Sequence, residues 1–327
     1  MNRSTLVAAL AALGFAASVS AASNDLEGRV TASDGWVAYR VPKVGGVDGP
    51  CCYSVRGENT KKGCDLDNPN GSFSSDHDSS AIATDNTLAV YLKVEHGRVG
   101  RVRALADSCP IRAASTIRWI EPVDSAPSIA MLSSLLDRKV DRSDEALIAL
   151  AYHADSSATR ALASRAEPSH TFKEREQALF WLGQARGDDG ADVIERHMTT
   201  DADPKLRAKA IFALSQSTTP DAYAHILQVA QNDPAEHVRG EAFFWLAQMK
   251  DVRAKDDIVA AINKDSSDKV REKAVFALAQ LDNGAADEAL IELLRGDYPR
   301  VVKKQAIFWL GQSGSPRAMA YFDEALK

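Results

Sequence analysis

Apolar positions follow two different rhythms along this chain, and the change of rhythm divides it. From residue 126 onward they recur every three or four positions, as in helices that bury one stripe. Over residues 23–125 they form short alternating or unbroken apolar runs, which read as strands. Trp36-Val37-Ala38-Tyr39-Arg40-Val41 and residues 88–94 are two such strands. Residues 98–105 follow the turn Glu95-His96-Gly97, so the second and third runs make a hairpin. Residues 116–120 add a further candidate strand. Residues 45–50 and 65–78 are rich in Gly, Pro, Asn, Asp and Ser and read as loops. No helical periodicity is expected between residues 22 and 124.

The helical part is written on a repeat. Arg239-Gly240-Glu241-Ala242-Phe243-Phe244-Trp245-Leu246-Ala247-Gln248 has counterparts at 175–184, 207–216, 271–280 and 303–312. The closing residues Gln184, Gln216, Gln248, Gln280 and Gln312 are spaced by 32 without a slip. A degenerate copy, Ala146-Leu147-Ile148-Ala149-Leu150, stands one period before 178–182. Between the copies lies a second kind of helix, at 129–138, 158–165, 191–198, 222–230, 255–262, 285–294 and 317–326. Asp203-Pro204 and Ser315-Pro316 supply a capping residue followed by a proline suited to the first turn. A fixed period of this kind means stacked supersecondary units. The expected fold is therefore mainly α: a solenoid of about six helix pairs and a closing helix over 126–327, preceded by a small β-rich, cysteine-containing module over 23–125.

The Arg-x-x-Ala-x-x-x-Leu core and the Asp/Pro turns before it resemble the short bacterial HEAT-like repeats of the phycobilisome-lyase type, over roughly 126–327. The segment from Trp36 to Pro42, with the double cysteine after it, is similar to exported bacterial HEAT-repeat proteins of unassigned function. Deoxyhypusine hydroxylase shares the repeat and places His-Glu iron ligands at the start of its inner helices. The matching positions here are Glu176-Gln177, Ala208-Lys209, Gly240-Glu241, Glu272-Lys273 and Lys304-Gln305, none with histidine. Bilin lyases, which also share it, are cytoplasmic, and the N-terminal export pattern described below argues against that assignment.

Projecting the copy from Val238 at about 100° per residue groups Val238, Ala242, Trp245, Leu246 and Met249 as the buried stripe. Phe244 falls about 140° away, flanked by Glu241 and Gln248. Its equivalents are Phe180, Phe212, Phe276 and Phe308. In similar repeats this is the inner, concave face and is usually polar. Two readings stay open: the rings fill the seams between neighbouring helices, or they line an exposed groove bordered by the five glutamines. In the second, the amides bond the backbone of an extended protein or peptide partner while the rings bury its side chains. The next position alternates Trp181, Ala213, Trp245, Ala277, Trp309, and is expected to point inward, large against small across each boundary. On that basis Trp245→Ala is expected to cost about 3–5 kcal/mol. A polar ladder, Asp201, Asp233, Asp265 and Asp297, precedes Arg207, Arg239, Arg271 and Lys303 by six residues. The aspartates are expected to bond turn backbone and the basic residues to bridge repeats.

Composition changes this picture little. Charged residues make up 26% and the formal charge is −6, so no general attraction to nucleic acid is expected. Residues 1–22 read as a signal peptide: Arg3, an apolar run over 6–17, and the small-residue pattern Val19-Ser20-Ala21. The expected destination is exported, periplasmic or secreted, with no membrane insertion after cleavage. There Cys51, Cys52, Cys64 and Cys109 can pair. Two connectivities remain, 51–64 with 52–109 or 51–109 with 52–64, because adjacent cysteines rarely bond each other. A zinc site is the rival for these sulfurs, without a CxxC unit to support it. Asp65, Asp67, Asn68 and Asn70 before Gly71 invite a calcium reading, but Pro69 stands where a ligand belongs. The seven histidines show no H-x-x-x-H pair, and no nucleophile elbow, P-loop or dinucleotide fingerprint is present. No catalytic residue, metal or cofactor is therefore assigned. The expected function is a non-catalytic protein- or peptide-binding scaffold of the cell envelope. The alternative is a lyase- or hydroxylase-type enzyme with a site between module and solenoid.

Overall fold

The computed structural model describes residues 25–56, 59–68, 86–140, 144–282 and 284–325. The signal-peptide reading, His77, and the Asn70 and Gly71 of the calcium reading lie outside these residues. Contacts divide the chain into two compact units, one ending at Glu167 and the other beginning at Pro168. No helix among the described residues is long and apolar enough to cross a membrane.

The first unit is built on a four-stranded sheet whose strands lie in the order Arg98–Ala106, Thr87–Glu95, Gly35–Pro42, Arg118–Trp119. Strands β1 (Gly35–Pro42), β5 (Thr87–Glu95) and β6 (Arg98–Ala106) pair antiparallel, and β8 (Arg118–Trp119) lies parallel to β1. The β5–β6 turn is His96-Gly97, both with positive φ (53° and 68°), the two-residue turn that matches strand twist. Asp34 secures it by accepting from both turn N–H groups at 3.0 Å. Both faces of the sheet are covered, so β1 and β5 read as unbroken apolar runs. On one face Trp36, Ala38, Ala89, Tyr91 and Leu105 pack with the four cysteines. The bonds are Cys51–Cys109 and Cys52–Cys64, the second of the two connectivities allowed by the sequence. Cys51, Cys64 and Cys109 hold their sulfurs within 4.8 Å of one another, and all four thiols are consumed in these disulfides.

Three features of this unit depart from expectation. A short helix, α1 (Leu26–Thr31), begins where no helix was expected, capped by Asp25, whose carboxylate accepts from Gly28 N–H at 2.9 Å. Strands β2 (Tyr53–Arg56) and β3 (Asn59–Lys62) form a second hairpin, and β4 (Cys64–Asp65) runs parallel to β7 (Ile111–Arg112). The first helices of the helical region, α2 (Ser125–Arg138), α3 (Asp144–Tyr152) and α4 (Ser156–Ala166), group with the sheet. The reason is visible in their bonds. Tyr39 and Ser128 share a hydroxyl hydrogen bond of 3.0 Å, and Val44 N–H donates to Tyr152 at 2.9 Å. Arg103 on β6 pairs with Glu145 on α3 at 2.7 Å, both fully enclosed, and donates to Cys52 Sγ at 3.3 Å.

The second unit alternates motif helices with connecting helices. The motif helices are α5 (Phe172–Ala185), α7 (Pro204–Ser215), α9 (Glu236–Gln248), α11 (Asp268–Leu278) and α13 (Arg300–Ser313). The connecting helices are α6 (Gly187–Thr200), α8 (Ala222–Asn232), α10 (Ala254–Lys264), α12 (Ala285–Arg295) and α14 (Pro316–Ala325). Local signals fix their starts: a capping box at Thr171 and Glu174, Asp203 before Pro204, and Ser315 before Pro316. The motif alanines and leucines, such as Ala242 and Leu246, are completely buried.

The polar ladder ties the turns together. Arg207 grips Asp233 through two hydrogen bonds (2.7 and 2.9 Å), and Arg239 grips Asp265 likewise (2.7 and 3.1 Å). Each arginine also donates at 2.8 Å to the carbonyl of the aspartate six residues earlier, so one side chain clamps two successive turns. Each aspartate in turn accepts from the backbone N–H two residues on, at 2.8–2.9 Å. Arg175 opens the series on Asp201. The expected last rung differs: Arg271 turns to Asp268 (2.7 Å) and the Ile262 carbonyl (3.3 Å).

Candidate functional site

The five phenylalanines of the repeated position, Phe180, Phe212, Phe244, Phe276 and Phe308, do not vanish into the core. Phe180, Phe212, Phe244 and Phe276 are half-buried and Phe308 is exposed. Helix geometry explains the placement: each lies off the Ala/Leu stripe, and the neighbouring motif helix presents its own ring at the same level. Phe180 stacks on Phe212 and Phe244 on Phe276, each pair with centroids 5.8 Å apart and planes within 19° and 4° of parallel.

The tryptophans join this row, which corrects the expectation that they point inward against alanine. Trp245 reaches back to Phe212 (4.6 Å) and Trp309 to Phe276 (5.0 Å), while each also meets its own neighbour, Phe244 or Phe308, edge-on. Trp181 meets Phe180 in the same way at 5.0 Å. The result is one unbroken chain of eight rings: Trp181, Phe180, Phe212, Trp245, Phe244, Phe276, Trp309, Phe308. All three tryptophans are half-buried. The Trp/Ala alternation still has a packing cause, but a different one. Where a copy carries Ala213 or Ala277, the tryptophan of the next copy leans over that copy's phenylalanine. In the buried stripe, Phe243 takes the place assigned to Trp245, at 1% exposure.

The glutamines stand one turn beyond the phenylalanines. Gln216, Gln248, Gln280 and Gln312 are exposed and Gln184 is half-buried. Glu241, on the same side, reaches towards Lys273 at 3.9 Å. The structure thus brings together, on one side of the motif helices, a continuous aromatic row with its edges open and a parallel set of amides. Such a surface can bury apolar side chains and hydrogen-bond backbone; it presents no nucleophile–base pair. Sequence reasoning missed the tryptophans as members of this surface. The signal available was their strict alternation with alanine.

The aspartates of the calcium reading have protein partners. Asp67 accepts from Ala114 N–H (2.6 Å) and from the Trp36 indole (2.8 Å), which together with nearby Lys93 hold its carboxyl below the ordinary range against the opposing effect of burial.

HEAT repeats match this chain over residues 159–247 and 223–311. No curated protein matches it in sequence. Solved structures similar to it include human deoxyhypusine hydroxylase in complex with glycerol, at 16% identity and a TM-score of 0.31, covering 57% of this chain and 85% of that one. They also include the CpcE–CpcF complex of phycocyanin lyase from Nostoc sp. PCC7120, at 16% identity and a TM-score of 0.26, covering 56% of this chain and 97% of that one. The chain is mainly helical, with a helical-repeat region of HEAT type that follows a small sheet module containing cysteines.

Proposed function

We propose that the HEAT-repeat region binds an extended segment of another protein along the aromatic row, without chemistry of its own. The observation that carries this reading is the eight-ring chain, half-open to solvent and bordered by the exposed amides of Gln216, Gln248, Gln280 and Gln312. Rings held by their neighbours lose little freedom on binding, so the surface is organised in advance. Backbone groups of an extended chain find donors and acceptors in Gln216, Gln248 and Gln280. The two buried disulfides fit an oxidising compartment, which favours an exported, periplasmic or secreted protein.

The test is selection of ligands from a random peptide library on the full chain, followed by affinity measurement on variants. Replacing Gln216, Gln248 and Gln280 together with Ala removes exposed amides and leaves folding unchanged. The selected peptides are expected to bind this variant about tenfold more weakly, or about 1.4 kcal/mol. Peptides that bind the folded triple variant as tightly as the parent place the binding surface elsewhere.

A further inference from the structure

One side of each motif helix is covered by the motif helix that follows it, and α13 breaks the rule. Five residues before each closing glutamine stand Leu179, Ile211, Phe243 and Val275, exposed by 0%, 0%, 1% and 0%; their equivalent Ile307 is exposed by 51%. One residue before the glutamine, α5 and α13 both carry glycine. A Cβ at Gly183 would lie 2.2 Å from the Ala213 carbonyl oxygen, so that glycine is what lets α7 approach. A Cβ at Gly311 would meet nothing within 4 Å. The same notch is built at both places, and among the described residues only the first is filled. Lys304 and Phe308 complete the uncovered strip.

We propose that this strip of α13 is a two-fold interface between two copies of the chain, with Ile307 of each seated in the glycine notch of the other. Ile307 and Gly311 lie one turn apart on one helix face, a projection beside a hollow. An antiparallel pairing centred between them sets Ile307 over the partner's Gly311 and Gly311 under the partner's Ile307, which is the self-complementarity a two-fold contact demands. The charges agree with that orientation. Lys304, one turn towards the helix start, arrives at the C-terminal end of the partner's helix, where a cation is favoured. A parallel two-fold pairing instead brings the Lys304 side chains together and sets Ile307 against Ile307 and Gly311 against Gly311, which leaves the notch unfilled. The strip meets the aromatic row at Phe308, but the dimer contact rests on Ile307 and Gly311 and the peptide test on Gln216, Gln248 and Gln280, so either reading can fail without the other.

The experiment is sedimentation velocity on the full chain, with and without substitutions in the strip. A dimer that dissociates on dilution within about 1–100 μM is expected. Gly311→Arg fills the notch and Ile307→Asp removes the apolar projection; each should weaken the dimer by at least about tenfold. Gly311 faces open space and Ile307 is half exposed, so the helical circular dichroism should not change. In a mixture of Ile307→Cys and Gly311→Cys chains, a short bifunctional maleimide should join one variant to the other. A chain that stays monomeric throughout that range overturns the proposal, as does a dimer indifferent to both substitutions. Crosslinking of Gly311→Cys to itself in preference to the mixed pair also overturns it.

Discussion

The two units are held together in opposite ways. In the first, the decisive contacts join residues far apart in sequence: Cys51 with Cys109, 58 residues on, and Tyr39 with Ser128, 89 residues on. In the second, the same few contacts recur at fixed short range, Arg207 to Asp233 and Arg239 to Asp265 each spanning 26 residues. A unit of the first kind must close long loops before its core rewards them, and disulfides shrink that cost. A unit of the second kind grows by nearest-neighbour additions and needs no crosslink. Chemistry that varies from place to place stabilises the sheet unit; one solution repeated stabilises the helical unit.

The largest effect should come from the enclosed ion pair of the sheet unit. Arg103→Met leaves the Glu145 carboxylate buried without that cation and should cost about 3–5 kcal/mol. Calorimetry should show a transition of the sheet unit moving down while that of the repeat unit stays. If both move together, the two units are not independently stabilised and the contrast fails.

Next in size are two substitutions on one motif helix. Leu246→Ala empties a fully enclosed site and should cost about 3 kcal/mol. Trp245→Ala should cost less, about 2 kcal/mol, because the ring lies in the half-open row and not in the core. This reverses the order that the periodicity alone suggests, and urea denaturation of the two variants decides it.

Acid comes third. Burial pushes the Asp265 carboxyl up, but the Arg239 guanidinium and Ser267 N–H more than offset it, so it titrates below the ordinary value. Asp201 behaves alike: burial raises it, while the Asp203 N–H, His197 and Arg175 lower it further. A depressed carboxyl contributes stability that is complete above the unfolded value near about pH 4 and is lost as pH falls through the folded value. The repeat unit should therefore weaken below about pH 4, and Asp265→Asn should shallow that decline. An unchanged acid slope would remove the ladder from the account. The smallest effect belongs to Val252, which is 95% exposed: Val252→Ser should change stability by less than about 0.5 kcal/mol.

The contrast also explains what the sequence made legible. The motif helices were readable because one pattern is stated five times, so chance similarities at any copy are outvoted. The β5–β6 hairpin was readable because His96-Gly97 marks its turn. The hairpin of β2 and β3 was not, since Tyr53–Arg56 and Asn59–Lys62 are too short and polar to show alternation. Helix α1 is not legible although Asp25 offers a cap, because six residues give too little periodicity. The choice between two disulfide patterns required the sheet, which alone brings Cys109 to Cys51. At the candidate site, a helical projection sets Trp245 in the buried stripe, where Phe243 stands instead, because it knows nothing of the adjacent helix. The attraction between Trp245 and Phe212 decides which way the ring leans, and that neighbour lies 33 positions earlier.

The alternation of tryptophan and alanine has a metric consequence. Trp181, Trp245 and Trp309 mark every second repeat, and packed helices stand about 10 Å apart, so the indoles recur at a pitch of about 20 Å. An extended chain advances about 3.3 Å per residue, which makes that pitch about six residues long. On the proposed binding reading, a partner laid along the row would be measured as well as held: bulky side chains six apart would keep step with the indoles, and those spaced by four would drift out of phase within two strides.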